Sequence, residues 1–182
     1  MSKMNIAITQ RTVQLNGFTY DCMSKEWHLF LHRHCIHAIP NWGKVDISGM
    51  DMLILSGGNN TDAREEQERE CVSQAIHNEI PVLGVCHGAF MLNKYFQGTF
   101  CDIEGHQNTV HPIELEGKTY MTNSYHSIAI KRLGTSLTEI GHDTEGHCEA
   151  FKHDTFPIWG VVWHPERMES VLLPHAVGNI IP

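Results

Sequence analysis

Apolar and polar positions alternate through the first half of the chain in blocks that predict strands and helices in turn. Short apolar runs mark extended segments at residues 4–9, 36–39, 51–55 and 81–85, the second ending at Pro40, which restrains the residue before it to extended backbone. Between the first two, Tyr20, Met23, Trp27, Phe30, Leu31 and His34 recur near a helical period and predict a helix over 19–34. Thr61-Asp62 opens a charged helix. Asp62 and Glu65 have the spacing of a capping box, and Cys71, Val72, Ala75 and Ile76 mark the buried side. A further helix is expected over 88–97. Such alternation predicts an α/β fold, with a parallel sheet covered by helices on both faces and ligands at the carboxyl ends of the strands.

From Thr99 onward the pattern changes to short runs between Gly turns, at 109–115, 118–122, 127–130, 137–142 and 148–153. These predict antiparallel strands that return the chain to a last sheet strand at 158–163. Residues 168–182 are weakly patterned, and Pro174 and Gly178 interrupt any helix there. At 182 residues, one domain spanning 1–182 is expected.

The chemistry begins at Gly84-Val85-Cys86-His87-Gly88, which joins the apolar run Ile80-Pro81-Val82-Leu83 to a helix. A Gly-x-Cys-x-Gly step is the thiol version of a nucleophile elbow, where small residues permit a sharp, strained turn at the sheet edge. The first turn of the following helix favours thiolate over thiol. Downstream, Val161-Val162-Trp163 runs into His164-Pro165-Glu166. On extended backbone an imidazole and a carboxylate two positions apart point to the same side, so the glutamate can hold the ring. Cys86, His164 and Glu166 thus have the makings of a nucleophile, a base and its orienter.

The chain resembles the class I glutamine amidotransferase superfamily, and within it the free-standing γ-glutamyl hydrolases that include γ-glutamyl-γ-aminobutyrate hydrolases. The likeness runs from Ile6 to Arg11 through Leu55-Ser56-Gly57-Gly58-Asn59, Arg64 to Glu68, Pro81 to Gly88 and Asn123-Ser124-Tyr125-His126-Ser127. It continues through Glu149-Ala150-Phe151 to Trp163-His164-Pro165-Glu166. It implies a flavodoxin-like sheet, a triad of Cys86, His164 and Glu166, and hydrolysis of γ-glutamyl amides through a thioester. The His87 N–H, next to the nucleophile, is one expected oxyanion donor. By resemblance Gly58 is the other, with Gly57 letting the backbone approach substrate. The resemblance also assigns Tyr125, His126, Ser127 and Ile128 to the α-carboxylate of the glutamyl group. A Gln four residues after the cysteine in relatives is Phe90 here, which argues against free glutamine as substrate.

Charge and cysteine content narrow the partners. A formal net charge of −8 with no Lys/Arg cluster excludes the footprint of a nucleic-acid binder. The longest apolar runs fall short of a membrane span, and Met1-Ser2-Lys3-Met4-Asn5 is unlike a signal peptide. Six scattered cysteines without a C-x-x-C pair are expected as reduced thiols in a cytoplasmic protein. Among 14 histidines, His28, His32, His34 and His37 invite a metal, yet no third ligand stands at a recognisable spacing. No metal and no cofactor are therefore expected, and zinc is expected as an inhibitor at Cys86 ahead of a structural role. Arg64 could contact substrate or an acidic leaving group, but with Glu65 and Glu68 it reads first as a solvated turn or a local ion pair of small energetic weight. The rival function is a glutaminase subunit feeding ammonia to a separate synthase, the only reading that needs a protein partner. A binding or regulatory module is the third, and oligomeric state stays open.

Overall fold

The computed structural model describes residues 3–181; Met1, Ser2 and Pro182, which fall within the expectations for the two termini, lie outside the described residues. Strand β1 (Asn5–Thr9) leads into a hairpin of β2 (Arg11–Leu15) and β3 (Phe18–Cys22). There follow α1 (Lys25–Phe30), β4 (Cys35–Ile39), β5 (Met52–Leu55), α2 (Asp62–His77), β6 (Val82–Val85) and α3 (His87–Tyr95). Next come β7 (Thr99–Asp102), β8 (Gln107–Leu115), β9 (Lys118–Tyr125), β10 (Ile128–Arg132), β11 (Leu137–Asp143), β12 (Cys148–His153) and β13 (Ile158–Val161). A 3-10 turn at Pro165–Arg167 and the short α4 (His175–Gly178) end the chain.

Parallel pairing gives the order β4-β1-β5-β6-β13, the flavodoxin-like order 2-1-3-4-5, as expected. From β13 the sheet continues antiparallel through β12, β11, β8 and β9, with β10 pairing β12 and β7. Central strands are buried on both faces. In β1, Ile6 and Ile8 join one core cluster with Met52, Ile54, Leu83, Val85, Trp163 and α1's Trp27. Ala7 enters the other with Leu53, Leu55, Cys71 and Val72 of α2 and Leu92 of α3. The two-residue repeat of the strands thus supplies both layers with apolar surface.

The helix expected over 19–34 forms only in part: α1 covers Lys25–Phe30, and Thr19 to Cys22 belong to β3. Asn16 and Gly17, at φ 52° and 79°, close a two-residue turn with Leu15 opposite Phe18. An Asn-Gly pair favours this left-handed geometry. The α2 cap also differs: Thr61 is the N-cap, its hydroxyl accepting from the Arg64 N–H at 3.3 Å, and Asp62 is already helical.

The elbow rests on close backbone approach. A Cβ on Gly84 would lie 2.6 Å from the Gly88 carbonyl carbon, and one on Gly88 2.1 Å from the Leu55 oxygen. Glycines at both positions let α3 start directly above β5 and β6. Cys86 takes the strained φ of 50° and ψ of −105°, and its N–H donates to the Val161 carbonyl at 2.9 Å. Gly88→Ala should cost about 1–3 kcal/mol of unfolding free energy, because the obstructing atoms are backbone. Urea denaturation checks this against Gly49→Ala, where an added Cβ meets nothing; equal midpoints for the two variants would contradict it.

Candidate active site

At the carboxyl edge of the parallel strands lies a cavity of about 480 Å³. Of the residues expected at the site, it gathers Gly58 from the loop after β5, Cys86 and His87 at the elbow, and Tyr125, His126, Ser127 and Ile128 from the β9–β10 connection. Phe90 supplies part of the wall, packing edge-on against Phe100 at 5.7 Å and His126 at 6.0 Å between ring centroids. It is both core and lining, and presents no polar atom. Asn60 and Lys94 are exposed lining residues, and Lys94 pairs with Glu65 at 2.7 Å.

Gly57, expected on the substrate side, is instead buried against the His164 ring: a Cβ there would meet Cε1 at 2.4 Å. His164 and Glu166 lie behind Gly57 and Tyr125, whose ring stands edge-on to His164 at 5.3 Å. His164 Nδ1 hydrogen-bonds Glu166 Oε1 at 2.7 Å, with both side chains buried. That contact does not follow from extended backbone, because β13 ends at Val161 and Pro165–Arg167 turn as a 3-10 helix. Arg167 lies near both neighbours, its Nε 3.5 Å from Glu166 Oε1 and its guanidinium 4.9 Å from the Tyr125 ring centre.

Two supporting groups escaped the sequence reading. Asn123 accepts the His164 N–H at 2.8 Å and donates to the His164 carbonyl at 2.9 Å, so one amide holds both backbone groups of that residue. Arg64 and Glu68, expected as a solvated turn or a local ion pair of small weight, do pair, at 2.9 Å, but are fully buried. Glu68 also accepts from Thr9 Oγ1 at 2.7 Å and bonds His87 Nε2 at 3.0 Å. Arg64 donates to the Asn59 carbonyl at 3.0 Å and to the Ser56 carbonyl. The pair therefore braces the Ser56–Asn59 loop against the residue that follows Cys86. Burial opposes the Glu68 charge, but the His87 hydrogen bond and the Arg64 guanidinium hold its carboxyl below the usual range.

The thiol behaves differently from expectation. Burial pushes Cys86 up to about 12, and the His87 backbone N–H only partly offsets that. Desolvation outweighs the helix terminus. Of the histidines that invited a metal, His28, His32 and His37 are exposed, and His34 is half-buried with its Nδ1 accepting the Met4 N–H at 3.4 Å. His126 bonds the Ile128 carbonyl through Nδ1 at 2.9 Å, which fits a lining residue.

The chain thus combines a sheet in flavodoxin-like order, a strained cysteine at a strand-to-helix turn and a buried His-Glu pair. The chain belongs to the class-I glutamine amidotransferase family, whose model matches residues 24–179, and it is an amide C–N hydrolase. It is 29% identical over 182 residues to the gamma-glutamyl-CDP-amidate hydrolase of Campylobacter jejuni, an alignment covering 90% of each chain. It is 24% identical over 123 residues to a glutamine-hydrolyzing GMP synthase subunit of Methanocaldococcus jannaschii, covering 63% of each. Among solved structures, a glutamine amidotransferase from Thermotoga maritima superposes with a TM-score of 0.72 at 14% identity, over 91% of this chain and 77% of that one. Among the described residues no helix is long and apolar enough to cross a membrane.

Two outcomes are expected. Alkylation of Cys86 by iodoacetamide in the free protein should be slow at neutral pH and still rising above pH ~9, since a raised pKa leaves the thiol protonated; a plateau reached by pH ~7 would contradict this. Arg64→Met should lower unfolding free energy by about 3–5 kcal/mol, because Glu68 keeps its burial and loses its charge partner. An unchanged urea midpoint would show the brace to be dispensable.

Proposed function

We propose that this protein hydrolyses γ-glutamyl amides to glutamate and a released amine or amidate, with Cys86, His164 and Glu166 as the triad. The observation that carries the reading is a strained cysteine on a cavity wall, at a strand end paired with the strand that leads to His164 and its buried carboxylate. The named activity of the Campylobacter jejuni relative supports it over nine-tenths of both chains.

In this reading the Cys86 thiol attacks the γ-carbonyl carbon as His164 takes its proton at Nε2, the nitrogen not engaged by Glu166. Transfer during attack suits a thiol that burial keeps protonated. The N–H groups of His87 and Gly58 receive the oxyanion. Collapse breaks the C–N bond, and His164 returns the proton to the leaving nitrogen. Water then adds to the thioester with His164 as base, releasing glutamate and restoring the thiol. Glu166 stays ionised throughout and stabilises the imidazolium. The glutamyl α-carboxylate meets the backbone of Tyr125–Ile128, and the rest of the substrate extends past Lys94 and Asn60. A γ-glutamyl amidate of a nucleotide is the first substrate to test. γ-Glutamyl-γ-aminobutyrate and γ-glutamylated polyamines come next.

The second reading, a glutaminase subunit serving a synthase, rests on the likeness to the Methanocaldococcus jannaschii GMP synthase protein. Phe90 weighs against it, because an apolar wall replaces a polar contact to glutamine. A cytoplasmic location and a single domain complete the proposal.

Purified protein alone should release glutamate from γ-glutamyl amides far faster than from glutamine. Activity that needs an added synthase would favour the second reading. Cys86→Ala should lower turnover about 10⁴-fold or more with the fold intact, as loss of the nucleophile disables the whole unit. Glu166→Gln should cost less, and turnover near wild type in Cys86→Ala would refute the thiol mechanism.

A further inference from the structure

Behind the cavity wall, four side chains from separate parts of the antiparallel sheet converge. They are His106, just ahead of β8, His111 in β8, His126 between β9 and β10, and Glu149 in β12. One ligand-type atom from each lies within 4.8 Å of all the others. His106, His126 and Glu149 are buried. His106 Nδ1, His111 Nε2, His126 Nε2 and Glu149 Oε2 are also buried without a hydrogen-bond partner. Unpaired buried polar atoms are rare, and four on one cluster require an explanation.

The tautomers sharpen the case. His126 Nδ1 lies 2.9 Å from the Ile128 carbonyl, which can only accept, so the ring proton sits on Nδ1. Unless that ring carries a second proton, its Nε2 turns a lone pair toward the Glu149 carboxylate at 3.5 Å. His106 repeats the arrangement. Its Nε2 faces Asp143 at 3.5 Å, leaving Nδ1 directed at Glu149 from 3.9 Å. Lone pairs of two imidazoles and a carboxylate repel unless a metal ion or a proton lies among them. Ligating histidines commonly donate their other N–H to a carbonyl or a carboxylate, the role that the Ile128 carbonyl fills for His126, while Asp143, bonded to His147, stands 3.5 Å from His106.

We propose that His106, His111, His126 and Glu149 bind one zinc ion. Three imidazoles and a carboxylate suit zinc, and bonds of about 2.0–2.2 Å would draw the ligand atoms together from their present spacing. With all four positions taken by protein, no site remains for a reacting water, so the ion is structural. It ties the Tyr125–Ile128 wall of the cavity to β12, independently of which amide the enzyme cleaves. It also reverses the expectation from sequence, which looked for metal near His28 and found no ligand spacing.

The test uses full-length protein prepared without a polyhistidine tag, stripped with chelator and reloaded with zinc. Elemental analysis should find about one zinc per chain in the wild type and in Cys86→Ala, and less than a tenth of that in His111→Ala and Glu149→Gln. Asp143→Asn should weaken zinc affinity about tenfold or more in competition with a chromophoric chelator. Should the ligand variants fail to fold, the Co(II)-loaded wild type decides. Tetrahedral d–d absorption without a thiolate charge-transfer band supports the site, whereas such a band places the metal on a cysteine and overturns it. Failure of the wild type to take up stoichiometric zinc, or zinc lost in Cys86→Ala, also overturns it and leaves a shared proton between His126 and Glu149.

Discussion

Parallel pairing of β6 with β13 is the constraint on which the rest depends. Val85 stands opposite Val161, and the Cys86 N–H extends the ladder one step further by donating to the Val161 carbonyl. Distant parts of the chain therefore reach the sheet edge side by side. Without that register the elbow would present its sulfur to a different neighbour. The two glycines of the elbow, the crossing of α3 over β5 and the Gly57 contact with the His164 ring all assume it. The ladder places the backbone, and side chains complete the arrangement. Asn123 grips His164 by its own amide plane, and Glu166 holds the ring after a tight turn.

Electrostatics divides the molecule into two buried polar districts on different principles. Around Arg64 and Glu68 every charge has an opposite or a donor, so the charges bind the loop after β5 to the elbow helix. A compensated pair of this kind adds rigidity more than net stability. The histidine-rich district beneath the cavity is unbalanced in the protein alone. There, burial and the neighbouring His126 and His111 push His106 down, toward neutral imidazole.

How much of this could be read from the sequence follows from where the information lies. The parallel sheet, the elbow and the later antiparallel strands were legible because apolar runs, glycines and breaks in period are local, whereas the flavodoxin-like order came from the family resemblance. Cys86 and His164 stood out at strand ends, and the segment Tyr125–Ile128, which lines the cavity, was singled out by the resemblance alone. The β2–β3 hairpin was missed although Asn16-Gly17 announced it, since a helical period running from Tyr20 masked the turn. The buried face of α2 was half-read. Cys71, Val72 and Ala75 marked it, but the same stripe continues backward through Arg64, Gln67 and Glu68, all buried. Polar residues on a core stripe look like solvated surface until their partners, Thr9 of β1 and His87 of α3, are brought in from elsewhere in the fold. The convergence of His106, His111, His126 and Glu149 was illegible for the same reason. Antiparallel pairing, not sequence spacing, assembles it.

One turn of α2 carries two carboxylates with opposite fates. Glu65 lines the cavity and meets Lys94 near solvent, whereas Glu68, three residues on, is sealed beneath the elbow. Mutations that reshape the entrance can thus accumulate without disturbing the interior brace. A lineage could trade one departing group for another by altering the rim alone, while the turn that carries the sulfur is inherited unchanged.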